Sequence, residues 1–312
     1  MERRKVVSEA PETPRLETGT GSSGKTSAAG YRARPRLTHD LLRHRQGAVG
    51  TVLLLGLVLM AFLAPLLSPF DPQHVDVEKI LSPPSTTHWL GTDELGRDIA
   101  SRIIFGSRVT LQVVAGAVAL SLVAGAFLGF IAAYLGRFWD ALIMRVIDAL
   151  LAIPPLVLAL AIVAALGPNL FYTILAIALA KLGMFARLVR GEVLSLKSME
   201  FVEAARAAGA SGTRIALKHI WPNAAGNVIV FSAVIASSAL LIESALNFLG
   251  LGAQPPTPSW GVMISNGMQH WTLWWMSIFP GFAIFLAILA FNLLGDALRD
   301  IMDRRLFDVG RL

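Results

Sequence analysis

Six apolar stretches, each close to the thickness of a lipid bilayer, constrain the fold of this 312-residue chain more than any other feature. A helix needs about 20 apolar residues to cross the hydrocarbon core. Because lipid offers no hydrogen-bond partners, each stretch has to satisfy its own backbone groups, which favours an α-helix. The sequence therefore predicts an all-α, polytopic membrane protein with six transmembrane helices, the third of them kinked at Pro154-Pro155. The stretches are 49–67, 110–135, 141–166, 170–188, 228–249 and 275–294.

The composition agrees with a membrane location. Hydrophobic residues make up 54% of the chain and charged residues 15%, against about 25% charged in an ordinary soluble domain. A soluble chain with this balance would expose too much apolar surface to water. The chain has no cysteine, which excludes a disulfide framework and any cysteine-based metal site or nucleophile.

The basic residues are distributed unevenly between the two sides of the predicted membrane. With the N-terminus inside, the inner segments hold 21 of the 27 Lys and Arg residues and the outer segments hold 4. Lys and Arg accumulate on the cytoplasmic side of membrane proteins. Both termini are therefore predicted to be cytoplasmic, and the net charge of +6 reflects topology without any need for nucleic-acid binding.

The stretch "GTGSSGKT", Gly19 to Thr26, matches the P-loop pattern for phosphate binding. A working P-loop lies between a buried strand and a helix, whose backbone amides converge on the phosphate. The flanking sequence has no apolar run before Gly19, and Gly30 and Pro35 interrupt any helix after Thr26. The match is therefore interpreted as accidental, within a polar tail (1–36) whose composition predicts disorder.

The longest predicted cytoplasmic loop, 189–225, lies between the fourth and fifth apolar stretches. Its segment 201–208 is rich in alanine and predicts a short helix with Gly209 as C-cap. Ser211 could cap a second short helix that ends before Pro222. The small side chains of the first helix would let another protein approach its backbone closely. The same composition fits an amphipathic connector on the membrane surface, and the residues alone leave both interpretations open.

This loop carries a resemblance to a known family. The stretches "EAARAAG" and "HIWPN" resemble the EAA loop of ATP-binding-cassette importer permeases, with the "HILPN" variant of the oligopeptide and dipeptide branch as the nearest pattern. Trp221 stands where that branch usually has leucine. The residues at the matching positions are Glu203, Ala204, Ala205, Gly209 and Pro222.

Three further stretches are similar to segments of the same branch. They are "HWLGTDELGRDIASRIIFGSRVTL" before the second span, "ESALNFLGLGAQPPTPSWG" after the fifth, and "FNLLGDALRDIMDRR" near the C-terminus. The resemblance covers about residues 40 to 308 and is closest to the second of the two permease subunits. It implies a cytoplasmic tail (1–36), a region with the first span and an external segment (37–108), a permease domain (109–298) and a cytoplasmic C-terminal tail (299–312).

The resemblance also implies a function. The chain would be the permease subunit of a binding-protein-dependent importer of di- or oligopeptides, in the bacterial inner membrane. Its partners would be a second permease in a heterodimer, two cytoplasmic ATPase subunits seated against the EAA helix, and an external substrate-binding protein. ATP would be hydrolysed on the partner subunits, so the chain is predicted to be no enzyme and to hold no catalytic residue, cofactor or metal ion.

Two alternatives remain open on the sequence. Relatives with the same fold carry glutathione, opines or nickel chelates, and cargo selectivity resides largely on the binding protein. The alternative from another class is an ATP-independent channel or secondary transporter, which would often show an internal repeat. We find no repeat between the two halves of the sequence.

A few charged residues lie within or beside the predicted spans. Glu243, near the outer end of the fifth span, is a candidate for the translocation pathway, although a structural hydrogen-bonding role is favoured. Arg145 and Asp148 are predicted to pair along one helix face. Lys181 is expected to extend its ammonium toward the inner surface. The acidic external loop 68–98 lacks an EF-hand pattern, so a structural or docking role is expected for it.

Overall fold

The computed structural model describes residue 41 and residues 44–309, with side chains up to residue 302. The predicted tail 1–36 and its P-loop-like stretch lie outside the described residues. The described part of the chain is almost entirely helical and contains no β-strand, only an isolated bridge between Thr92 and Asp98. The predicted all-α fold is confirmed.

The helices of the described part are numbered here in chain order. Two short segments of other geometry join them, a 3₁₀ turn at Val77–Lys79 and a π-helical turn at Ala216–Ile220. The α-helices are α1 (Arg45–Phe62), α2 (Ala64–Leu67), α3 (Ile99–Leu135), α4 (Arg137–Leu151), α5 (Pro155–Leu166), α6 (Leu170–Lys197), α7 (Glu200–Ala207), α8 (Gly212–Ile215), α9 (Trp221–Phe248), α10 (Trp260–Gln269) and α11 (Trp275–Val309).

Five helical segments of the described chain are long and apolar enough to cross a membrane: α1, α3, α6, α11, and the continuous run from α8 through the π turn to the end of α9. The pair α4–α5 passes the same test as one broken span. Counting the pair as a span gives the predicted six. Helix α11 extends from the predicted sixth span through Val309.

The third predicted span is broken more sharply than a kink. Helices α4 and α5 meet at an angle of 87°, with Pro155 at the first position of α5. Proline lacks an N–H and its ring clashes with the carbonyl four residues earlier, so two adjacent prolines cannot continue α4. The first turn of a helix tolerates proline because its N–H groups need no intrahelical partner, and α5 therefore starts there.

Side-chain contacts sort the helix ends into two groups. On one side, which we call the loop side because it carries residues 198–220, contacts join the start of α1 to α11, the end of α3 to the end of α6, and the start of α4 to α6. On the opposite side, which we call the far side, α3, α10 and the start of α11 meet. The loop-side pairs are His44–Asp300, Ala133–Lys197 and Asp140–Arg190, and the far-side pairs are Ile103–Trp260 and Thr92–Trp275.

This sorting matches the alternating path predicted for six spans. It leaves the absolute orientation, with both termini cytoplasmic, as a prediction.

Helices α3 and α6 form the tightest crossing through two glycines one turn apart. A Cβ atom on Gly125 would lie 2.6 Å from the carbonyl oxygen of Leu182, and one on Gly129 would overlap the carbonyl oxygen of Ala186. The spacing of these glycines is the GxxxG pattern that lets membrane helices approach closely. The second and fourth spans are therefore held backbone to backbone.

Replacing Gly129 with leucine should destabilise this crossing, because the added side chain has no space against Ala186. Overpacking of this kind costs about 1–3 kcal/mol or more. Thermal unfolding of the detergent-purified protein measures the effect. The matched control is Gly191→Leu on α6, where an added Cβ meets no atom within 4 Å. Equal melting temperatures for the two variants would contradict the close crossing.

Candidate functional site

The connection between α6 and α9 contains the alanine-rich helix predicted from the sequence. Helix α7 spans Glu200–Ala207, one residue earlier at each end than the predicted 201–208. Val202 is fully buried and Ala205 packs partly against the same cluster, whereas Glu203 and Ala204 are exposed. One face of α7 is therefore fixed to the bundle, and the face with the acidic residue and the small side chain is free to meet a partner.

Gly209 ends this helix with the geometry expected of a C-cap. Its φ is +77°, in the left-handed region that favours glycine. Its N–H donates to the Arg206 carbonyl (2.9 Å), and the Ala210 N–H donates to the Ala205 carbonyl (3.0 Å). These two bonds are the Schellman pattern. The predicted cap is confirmed.

The second short helix of the loop does not end where the sequence suggests. Ser211 takes the N-cap position of α8 but makes no side-chain cap hydrogen bond. The backbone then continues through the π turn Ala216–Ile220 into α9, so the prediction that it ends before Pro222 was wrong. A π turn widens the helix locally and accommodates a residue without an N–H. The Asn223 amide donates to the His219 carbonyl (2.5 Å) and satisfies that acceptor.

Two contacts on the loop side join the end of α3, one to the end of α6 and one to α8. The Lys197 ammonium donates to the carbonyls of Ala133 (2.9 Å) and Tyr134 (3.3 Å), so a cation covers the carbonyl end of that helix. The Tyr134 hydroxyl lies against Gly212, where an added Cβ would be 2.6 Å away. A displacement of α7–α8 would therefore be passed to α3 as well as to α6 and α9.

Apolar burial holds the connection as a single unit. Val202, Ile215 and Ile220 are buried together with residues of α6 and α9 such as Val193 and Val228. Burying side chains of this size stabilises the docked position by about 1.5–3 kcal/mol each. The connection is therefore a packed element of the bundle and not a loose linker.

Sequence reasoning did not find Lys197, Tyr134 or Gly212. A lysine at a helix end is a common capping signal, but its partner helix lies more than sixty residues earlier in the chain. Only the packing of α3 against α6 brings the two ends together.

Glu243 is buried among polar side chains at the far-side end of α9. It is 1% exposed and accepts hydrogen bonds from Asn247 (2.6 Å), Ser244 (3.3 Å) and Thr110 of α3 (3.4 Å). Asn247 in turn accepts the N–H of Ala253 (2.7 Å). These bonds join α9, α3 and the segment after α9, which supports the structural role favoured from the sequence. A role for Glu243 in the translocation pathway stays a prediction.

Helix α4 is tied to α6 by ion pairs that the sequence did not indicate. Arg187 binds Asp148 at 2.8 Å and Arg190 binds Asp140 at 2.7 Å. The predicted pairing of Arg145 with Asp148 was wrong, because the neighbouring helix offers Asp148 a closer guanidinium. Both pairs lie toward the loop side of α6.

The acidic loop 68–98, which was predicted to be external, is organised by arginines. Asp93 is 6% exposed and accepts hydrogen bonds from the side chain of Arg97 (2.7 Å) and from the backbone N–H groups of Leu95 and Arg97 (2.9 Å each). Arg102 of α3 lies 3.4 Å from the same carboxylate. Asp93 therefore fixes the loop to the far-side end of α3, which supports the structural role expected for the loop.

With this geometry in view, comparison with known proteins defines the class. Residues 125–308 match the family model described as "Binding-protein-dependent transport system inner membrane component". The match covers more than half of the chain, and the chain belongs to this family. It is a multi-pass membrane subunit of an ATP-binding-cassette transport system and not the ATPase of that system.

A second family model matches the N-terminal part of the chain. Residues 37–84 match the model described as "N-terminal TM domain of oligopeptide transport permease C". The dipeptide transport system permease of Alkalihalophilus pseudofirmus is 43% identical over 86% of this chain and 88% of its own length. A glutathione transport system permease of Pectobacterium atrosepticum is 41% identical over 85% of this chain and 89% of its own length.

A solved structure shares the fold. The inward-facing MetNI methionine ABC transporter matches with a TM-score of 0.53 and 15% identity, over 64% of this chain and 96% of the matched chain. At that identity the likeness shows the permease fold alone. The resemblance inferred from the sequence motifs is confirmed at the level of family and fold.

Proposed function

We propose that this chain is one of two permeases in an ATP-driven importer of di- and oligopeptides, located in a bacterial inner membrane with both termini in the cytoplasm. The second permease forms a heterodimer with it, two ATPase subunits bind its loop side, and a substrate-binding protein delivers peptide to the far side. The named peptide permeases among its relatives support the cargo, and the excess of basic residues on the loop side supports the orientation.

The observation that carries the mechanism is helix α7, fixed on one face and free on the other. Glu203 and Ala204 occupy the free face, while Val202 is fully buried. We propose that an ATPase subunit receives this free face, with Ala204 and Gly209 keeping the contact close. Ala205 holds α7 against the bundle, and Pro222 lies in the first turn of α9. Closure of the ATPase pair on ATP then displaces α7, and the anchored connection passes the motion to α3, α6 and α9.

Reconstitution tests this function directly. The complete complex, with both permeases, the ATPases and the binding protein, is placed in liposomes and supplied with a radiolabelled dipeptide. Uptake should require ATP, the binding protein and this chain. Accumulation without ATP would indicate an ATP-independent channel or a secondary transporter instead.

Glutathione is the second candidate cargo, because glutathione permeases are about as similar to this chain as dipeptide permeases are. A competition experiment distinguishes the two candidate cargoes. Unlabelled dipeptide should suppress uptake of the labelled dipeptide at concentrations where glutathione, an opine or a nickel chelate does not. Preferential suppression by one of those compounds would reassign the cargo and leave the coupling mechanism in place.

A further inference from the structure

An open groove of about 810 Å³ runs between α6 and α9 and reaches the end of α4. Its lining is largely apolar and includes Phe231. Four polar side chains interrupt that lining: Lys181, Arg187, Ser237 and Ser238. A cavity of a few hundred cubic ångströms with an apolar lining and a few polar groups is typical of a site for a small molecule.

Lys181 is the unusual member of this lining. It is 4% exposed, it lines the groove, and its ammonium makes no hydrogen bond or ion pair with another described residue. Arg187, the other cation of the groove, is already paired with Asp148 at 2.8 Å. The hydroxyls of Ser237 and Ser238 donate to backbone carbonyls of their own helix at 2.9 Å. The lysine therefore offers the groove a cation that nothing in the described chain neutralises.

The position of Lys181 along the helices places it near the middle of the bilayer. It lies about 11 residues after the start of α6, a rise of about 16 Å at 1.5 Å per residue. Ser238 lies about 10 residues before the end of α9, a rise of about 15 Å from the same side. Half of a hydrocarbon core is about 15 Å. Lys181 on α6 and Ser238 on α9, two antiparallel helices, therefore lie at the same depth, near the bilayer centre.

A cation at this depth requires compensation. A lysine at the centre of a membrane helix is costly, and such residues face cavities or anionic partners and mark transport pathways. A carboxylate is the matching anion for an ammonium point charge. The apolar lining beside Lys181 would accept an uncharged side chain of the same ligand.

Three sources of an anion are conceivable, and the groove favours one. A lipid phosphate lies at the interface and not at the bilayer centre. An acidic side chain of the second permease would require a close-packed surface, whereas the groove is open and of ligand size. The carboxylate of a peptide in transit fits both the depth and the volume. This choice rests on the proposed function of the chain as a peptide permease.

We propose that Lys181 forms a binding position for the free C-terminal carboxylate of the transported peptide, in the groove between α6 and α9. The experiment uses the absence of cysteine from the natural chain. Ser238→Cys introduces a single thiol into the groove of the complete complex in nanodiscs. Its modification rate is measured with an anionic and a cationic methanethiosulfonate reagent, in the presence of trialanine or of trialanine amide.

With each rate divided by that of the same reagent with a free thiol, the anionic reagent should react about tenfold faster than the cationic one when Lys181 is present. Lys181→Met, which removes the charge at similar volume, should abolish that preference, and Lys181→Arg should restore it. Trialanine should slow modification at lower concentrations than its amide does, and the difference should disappear in Lys181→Met. ATP hydrolysis and subunit composition of each variant serve as controls for assembly.

Three results would overturn the proposal. Trialanine and its amide could protect the thiol equally, or not at all. The thiol could be protected by anionic lipid in the nanodisc, which would make the ligand a phospholipid. The thiol could react in the isolated chain but become inaccessible to the reagents in the permease pair, which would show that the partner subunit fills the groove.

Uptake of labelled trialanine by the parent complex is measured in parallel. Its absence would refute the proposed function, whereas normal uptake with equal protection by the two peptides would refute only the role of Lys181.

Discussion

A permease carrying Gly209→Val should insert and pair with its partner permease, yet lose most of its association with the ATPase subunits. The valine side chain adds strain at a φ of +77° and bulk on the exposed turn after α7. Within the described chain an added Cβ at this position meets no atom within 4 Å, so any steric effect comes from a partner. We expect co-purified ATPase, and ATP-driven uptake, to fall by at least about tenfold, which corresponds to about 1.4 kcal/mol of lost contact.

Gly250 provides a matched control for the backbone strain. It ends α9 with a φ of +75° and the same Schellman bonds, and an added Cβ there also meets no atom within 4 Å. Gly250→Val should therefore carry the same strain on the far side and leave ATPase binding unchanged. Equal losses in the two variants would show that strain, and not docking, explains the effect.

Two glutamates of α7, Glu200 and Glu203, allow a test of the charge on its free face. Glu200 and Glu203 both lie in the first turn and are both exposed, so a change to lysine has the same unfavourable interaction with the helix dipole at either position. Glu203→Lys should uncouple hydrolysis from uptake, because the proposed ATPase contact includes this side chain. Glu200→Lys, one turn earlier along the same face, should reduce the coupling less than Glu203→Lys does in the same assay.

The second large effect is expected in the acidic loop 68–98 on the far side. Asp93→Ala removes the carboxylate that binds the buried Arg97 and lies beside the buried Arg102. Breaking a buried ion pair by removing one partner costs about 3–5 kcal/mol. Arg97 keeps a second carboxylate, Glu94 at 3.0 Å, so the uncompensated charge is that of Arg102 and the lower end of this range is expected. For a chain of this size that loss corresponds to a fall of roughly 10 °C in the unfolding temperature.

Thermal unfolding of the purified complex measures the loss, and Glu78→Ala is the control. Glu78 is exposed and makes no ion pair in the described chain, so its removal changes the net charge equally without uncovering a buried cation. Asp93→Asn should fall between the two, since the amide oxygen can still accept the backbone N–H groups of the turn. A stable Asp93→Ala variant would contradict the structural role of this carboxylate.

Local signals in the sequence predicted most of the architecture. The apolar stretches predicted the spans, because a single segment in lipid can satisfy its own backbone hydrogen bonds only as an α-helix. Gly209 gives the C-cap because a left-handed turn after an alanine-rich helix favours glycine over any other residue.

Features that depend on distant segments could not be predicted. Asp148 binds Arg187 and not Arg145, because α6 packs beside α4. Pro222 continues the helix because a π turn precedes it. The proline pair predicted a kink in the third span, whereas the structure shows an angle of 87° between α4 and α5, with α5 packed on α6. Lys181 was expected to reach the inner surface, and the groove beside it exists only once α6 and α9 are assembled.

Site-specific cross-linking tests the central claim, that the free face of α7 seats on an ATPase subunit, most directly. Because the natural chain has no cysteine, Ala204→Cys on that face can carry the only thiol of this subunit. In the assembled complex, a short thiol-directed photo-cross-linker at this position should join the chain to an ATPase subunit. Ser198→Cys, which is also exposed but precedes α7, should give a much lower yield. Cross-links from Ala204→Cys only to lipid or to the second permease, in a complex that hydrolyses ATP and imports peptide, would contradict the account.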